Sequence, residues 1–373
     1  MKSMPHAAAG LALGTAVAGL LVVAVAAQSP SGQKPSEANL FIQTPPGWVQ
    51  PKVAWGDPDL QGTWPISYVG SVPLQRCAGG GPGRAATPCD KSKAFLTEEE
   101  YQARLDASKQ PDRYKKAVAE GDLGRAFSAG VVDPTVPQRQ TSLIVDPPDG
   151  QLPAMTEEGK RLSAEMKSSW ASHEGEPQAW DTYLDFDSWD RCITRGMPAS
   201  MFPYRYNNGI QIIQVPGAVV INMEMIHETR VIPVDGRPAP RPTIKQWLGI
   251  SRGHWEGNTL VVETTNLKTG ASATNIGVVG APQGNRFPSS EQMKIRERFT
   301  RMSPDIMLYE ITTEDPVVLT RPWTAKFPLK LDNSYKWWEY ACHEGNRTIP
   351  DYISASRAER AEAEKDAQHQ EHR

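Results

Sequence analysis

The 373-residue sequence predicts a mainly β fold, an antiparallel meander that closes into a lipocalin-like barrel or stacks as a sandwich, with two or three peripheral helices. Two observations predict it. From Tyr206 onward, short alternating runs recur at regular spacing and end at Gly, Pro, Asn or Asp, as strands joined by tight turns do. Upstream, Thr97 and Thr156 each stand before a pair or more of glutamates, a start signal in which the Thr side chain caps the first helical turn.

Taken in order, the chain opens with Lys2 and an apolar run from Ala7 to Ala27 that closes on small residues before Gln28, the pattern of a signal peptide. Residues 1–27 are therefore expected to be removed, and the mature chain to work in the periplasm or as a secreted protein. No Cys follows the run, which argues against a lipid anchor, and no later run approaches transmembrane length. Residues 28–57, rich in Pro, Ser and Gln, read as an extended or disordered leader. Residues 58–353 form one β-rich domain, with helical and loop elements over 90–180 and the meander over 206–342. Residues 354–373, dominated by Ala, Glu, Arg and Gln, read as a polar helical tail.

Within that domain, DLQGTW (Asp59 to Trp64) is a short strand, and Leu96 to Lys116 a surface helix. A strand in Gln140 to Gly150 runs into a Pro-Pro-Asp-Gly turn, and a second capped helix starts at Thr156. The meander follows. Its strands are IQIIQV from Ile210, AVVINMEMIH from Ala218 to His227, TRVIPVD, GISRGHW and TLVVETTN; a Gly- and Ala-rich loop spans Thr269 to Asn285. QMKIRERFT, IMLYEITT, WTAKFPLK and YKWWEYAC complete it. Such a meander protects its edges by closing or stacking.

The formal charge of −3 is spread along the chain without basic clusters, so nucleic acid is not an expected partner. The cysteines are Cys77, Cys89, Cys192 and Cys342, an even count that favours disulfides in an exported chain. Of three possible pairings, Cys77–Cys89 across a Gly-rich loop and Cys192–Cys342 across the β-region are expected. No metal site is expected, because Cys-x-x-Cys and His-x-x-x-His spacings are missing. The chain also lacks a P-loop, a dinucleotide fingerprint and a Gly-x-Ser-x-Gly elbow, so no cofactor is expected.

The strings CITRG from Cys192, MIHETRVIPVDGR, SRGHWEGNTLVVETTN and EYACHEGN together resemble a large family of exported, functionally unassigned proteins of environmental bacteria. DLQGTW, RQTSLIVDPPDG, RERFT and TRPWT extend the likeness over most of the mature chain. The resemblance implies export and one integrated fold, and no activity. It departs at Ala239, where the family pattern carries a His.

Candidate chemistry comes from alternation, since neighbouring strand residues face opposite sides. In Gln292 to Arg301 it puts Glu297 on the face of Met293, Ile295 and Phe299. A carboxylate there must be paired or carry a raised pKa; Arg252 or Arg298 is the expected counterion, or else Glu297 is an acid–base group. His227 is expected in register with Val219, Ile221, Met223 and Met225, with Glu224 on the opposite face. His227, Glu297 and Arg252 are thus the catalytic candidates, and Glu224, Trp255, Tyr309, Trp338 and His343 the candidate ligand contacts. The leading expectation is an exported protein that binds a small, partly hydrophobic molecule in a β-barrel cavity. The alternatives are a cofactor-independent lyase, isomerase or hydrolase using Glu297 or His227, and a structural protein without a cavity.

Overall fold

The computed structural model describes residues 44–77, 90–108, 119–120, 135–167, 169, 179–270 and 287–371. Ten strands fall into two antiparallel sheets. The four-stranded sheet is ordered β1-β3-β4-β5 and comprises β1 (Gly62–Thr63), β3 (Ile210–Val215), β4 (Ala218–Met223) and β5 (Thr229–Pro233). In the six-stranded sheet the order is β2-β10-β9-β8-β7-β6. It comprises β2 (Ile144–Asp146), β6 (Ile250–Glu256), β7 (Thr259–Thr265), β8 (Lys294–Arg301), β9 (Ile306–Glu314) and β10 (Trp323–Lys330). The fold is thus mainly β and sandwich-like. Strands β3 to β5 and β6 to β10 neighbour one another in chain order, while β1 and β2 join from upstream beside β3 and β10.

One hydrophobic cluster joins the facing sides. Ile210, Ile212, Val219, Ile221 and Ile232 of the smaller sheet pack with Leu260, Ile295, Phe299, Tyr309, Ile311 and Phe327 of the larger one. Alternation selects these residues: β8 buries Ile295, Glu297 and Phe299 while Lys294 and Arg296 stay exposed. The outward side chains of this sheet pair across strands, Arg296 with Glu263 and Arg298 with Glu256.

Among the described residues, three α-helices lie outside the sheets. Helix α1 (Glu98–Ser108) buries no side chain, and its expected cap is formed: the Thr97 backbone N–H donates to Glu100 at 2.8 Å. Helix α2 (Glu157–Glu165) is capped by Thr156, whose hydroxyl accepts from the Gly159 N–H at 2.9 Å. Helix α3 (Thr348–Glu371) begins six residues before the expected tail, because Tyr352 packs edge-on against Trp180 and Phe186 and anchors its first turns. No helix among the described residues is long and apolar enough to cross a membrane.

Three expectations need correction. The run Tyr335 to Cys342 is not a strand. Its backbone is held by a side chain instead of a neighbouring ladder, as the Trp338 N–H donates to Glu224 at 2.7 Å. Strand β4 stops at Met223 rather than His227, because Ile226 and His227 adopt φ of +60° and +45°, a left-handed turn that no strand accommodates. Within the expected leader, residues 44–57 include buried Gln50 and Val53, and the Gln50 side-chain amide donates to the Asp59 carbonyl at 2.8 Å.

Cys192 and Cys342 are disulfide-bonded across 150 residues, as expected, tying the segment before β3 to the one after β10. Cys77 is also disulfide-bonded, and its expected partner Cys89 lies outside the described residues.

Candidate functional site

Glu297 is fully buried, on the face that alternation assigns it, but its counterion is neither Arg252 nor Arg298. Arg230 of β5 reaches across the interior. Its Nη1 donates to Glu297 Oε1 at 2.9 Å and its Nη2 to Oε2. The Tyr309 hydroxyl donates to Oε1 at 2.9 Å, and Arg230 Nη2 also reaches the Ser251 and Thr264 hydroxyls. Burial alone would lower the pKa of Arg230, but the Glu297 carboxylate more than offsets it and holds the guanidinium above its ordinary value. Burial, with Glu297 beside it, pushes the Tyr309 phenol far up. Glu297 thus takes three donors while its side chain is 0 % exposed. The cluster bridges the two sheets.

The remaining sequence-derived candidates do not converge. His227 is exposed on the turn after β4 rather than facing the core. Glu224, expected on the strand face opposite His227, is 3 % exposed and accepts from the Gly209 N–H, the Tyr335 hydroxyl and the Trp338 N–H, which makes it a clamp on the segment that follows β10. Trp255 packs half-buried against the core. Trp338 is 68 % exposed, and His343 is exposed beside the disulfide. Glu297 is brought to Tyr309 and Glu224 to the Trp338 backbone, while Arg252 lies at the mouth of a cleft that the sequence does not announce.

That cleft, about 700 Å³ in volume, opens where β5 and β6 lie side by side without pairing. Its walls are Glu228, Arg230 and Val231 from β5 and its approach, Ile250 to Arg252 from β6, and the connection carrying Ile244 to Gly249. The connection is fixed by backbone pairing: the Gln246 N–H donates to the Asn266 carbonyl at 3.1 Å, and the Lys268 N–H returns to Gln246 at 2.8 Å. Gly249 then turns the chain into β6 at φ +70°, where a Cβ would stand 2.7 Å from both Thr264 Cγ2 and the Thr265 carbonyl, so only glycine fits. This geometry presents the Trp247 ring to the cleft, with Lys268 Nζ 4.3 Å above its centroid.

Glu228 and Arg252 stand among the charged groups that line the cleft, with Arg230, Lys245 and Lys268. Glu228 accepts from the Thr194 hydroxyl at 2.6 Å, yet burial outweighs that bond and raises its carboxyl to about 7. Arg252 spans the mouth, donating to the Pro238 carbonyl at 3.1 Å and the Ser251 carbonyl at 2.7 Å. Behind Thr194, buried Arg195 lies against the Trp189 and Tyr204 rings at 5.1 and 5.0 Å, and burial lowers its pKa to about 10.

Glu228, Arg230, Trp247 and Lys268 escape sequence reasoning for identifiable reasons. In TRVIPVD, residues 231–234 are all apolar, so alternation cannot say that Arg230 and Ile232 face inward. Trp247 and Lys268 sit in connections with no period. One signal was available: an inward carboxylate on β8 demands an inward cation, and Arg230 and Arg252 are the arginines in the predicted meander strands before the Gly- and Ala-rich loop. Comparisons with protein-family models, with curated proteins and with solved structures find no match to this chain.

Proposed function

We propose that the protein binds a small, partly apolar molecule, and that its site is the cleft between β5 and β6 rather than the interior between the sheets. The observation that carries this reading is the cleft's composition. It combines an accessible indole, the aliphatic side chains of Ile244, Leu248 and Ile250, and a few polar groups, the mixture that binding pockets use for affinity and orientation. The unpaired but adjacent β5 and β6 also support reading the two sheets as a meander barrel opened at one seam. The apolar run Ala7 to Ala27 and the Cys192–Cys342 disulfide support export to the periplasm or beyond. So does the resemblance to exported bacterial proteins.

Mass spectrometry of small molecules retained by the purified protein from native extract tests the proposal. A compound held by the parent and lost from Trp247→Ala supports it; no retained compound, or equal retention by both, overturns it.

Glu228 favours a second reading, in which the bound molecule is turned over by acid–base chemistry. A carboxyl held near neutrality is matched to proton transfer in either direction. In that case Glu228→Gln slows conversion of the captured compound by about a hundredfold or more while leaving it bound. An unchanged rate, or no conversion by the parent, leaves binding alone.

A further inference from the structure

Resting on that reading, we propose that the ligand of the β5–β6 cleft is an amphipathic organic anion, an aromatic or aliphatic body bearing a carboxylate or sulfonate. The argument is one of uncompensated charge. Around the cleft, cations are paired as a rule: Lys245 with Glu291, Arg296 with Glu263, Arg298 with Glu256, Arg237 with Asp235 and Arg230 with Glu297. Arg252 and Lys268 break it. Among the described residues, no acidic side chain lies within ion-pair distance of either, and both line the cleft.

Their placement is also directional. The guanidinium of Arg252 is oriented by the Pro238 and Ser251 carbonyls, which use some of its five N–H donors, and Glu263, its cross-strand neighbour, is engaged by Arg296. Lys268 Nζ stands over the Trp247 ring, where the π-face holds an ammonium without cancelling its charge. An anionic head between these two groups would meet two cations while the attached body lies against Trp247, Ile244 and Leu248. A cationic head would be repelled, and a neutral one would leave both charges unmatched. Glu228, the one carboxyl lining the cleft among the described residues, is protonated for part of the time near neutral pH and does not impose a fixed opposing charge.

Two fluorescent probes of nearly the same shape separate the possibilities in the full chain: anilinonaphthalene sulfonate, which is anionic, and N-phenylnaphthylamine, which lacks the sulfonate. The sulfonate should bind at least about tenfold more tightly, the weight of one hydrogen bond to a charged group. Arg252→Gln combined with Lys268→Gln should remove that preference while changing the affinity of the neutral probe less than about twofold. Both side chains are on the surface, and an unchanged melting temperature will show the fold intact. Equal affinity of the two probes in the parent, or a preference that survives the double substitution, overturns the anion. If the neutral probe is the tighter ligand and Trp247→Ala removes it, the cleft stands as the site and the anion does not. If neither probe responds to Trp247→Ala, the cleft itself falls, and this inference with it.

Discussion

Arg230 and Glu297 belong to different sheets, yet they form a two-pronged ion pair in the core, with side chains 2 % and 0 % exposed. The two strands share no ladder, so this pair, completed by Tyr309, is a polar joint between sheets otherwise held by apolar contact. Glu297→Gln keeps the shape but strands a buried guanidinium. It should destabilise the protein by roughly 3 kcal/mol in urea unfolding, whereas Arg230→Met with Glu297→Leu should recover most of that loss. A neutral Glu297→Gln would show that the carboxylate is solvated and its face misassigned.

Glu228 predicts a pH dependence. Its folded-state value of about 7 lies above the ordinary 4.5, so the folded state binds the extra proton between those values. Stability therefore falls as pH rises through that window, and the deficit, about 3 kcal/mol, is complete above pH 7 and absent below pH 4.5. Glu228→Gln should stabilise the protein at pH 8 and do nothing at pH 4. Parallel urea titrations of parent and variant at the two pH values decide it; a gain of equal size at both would refute the titration.

Gly159 lies in helix α2, where alanine is normally the better residue by about 1 kcal/mol. Here a Cβ would stand 2.3 Å from the Val318 carbonyl oxygen, which is backbone and cannot swing aside. Gly159→Ala should consequently lower stability by roughly 1–3 kcal/mol, reversing the sign that propensity gives. A rise in melting temperature would mean that α2 does not dock this closely.

The Cys192–Cys342 bridge closes the largest loop of the domain, 150 residues. On the chain-entropy account its loss costs roughly 5 kcal/mol. Replacing both cysteines by serine should lower the urea midpoint accordingly, with the slope of unfolding little changed. A midpoint within experimental error of the parent would place the bridge's contribution near zero.

How much of this was legible beforehand depended on whether a residue's environment repeats. Glu297 was legible, because β8 alternates cleanly and Met293, Ile295 and Phe299 fix its face. The capped helices were legible too, since a cap is local chemistry between Thr97 and Glu100 or Thr156 and Gly159. His227 was not, since two consecutive left-handed residues leave no trace in a hydrophobic pattern, and the apparent period ran straight through the turn. Trp338 misled for the opposite reason: Tyr335 to Cys342 has the composition of a strand, but Glu224 takes the backbone N–H that a ladder would use. The cleft was invisible in sequence because it is made by what two edges fail to do.

Those two edges have a thermodynamic consequence. Neither β5 nor β6 is tied to the other by a ladder; Arg230 reaches Ser251 across the seam, and the cleft draws its walls from both strands. Any occupant of the cleft is therefore also a cross-brace, and its binding is linked to global unfolding. At a hundred times its dissociation constant it should add about 2.7 kcal/mol to stability. A thermal-shift screen thus reads ligand binding at this seam directly, with no need for an activity to follow.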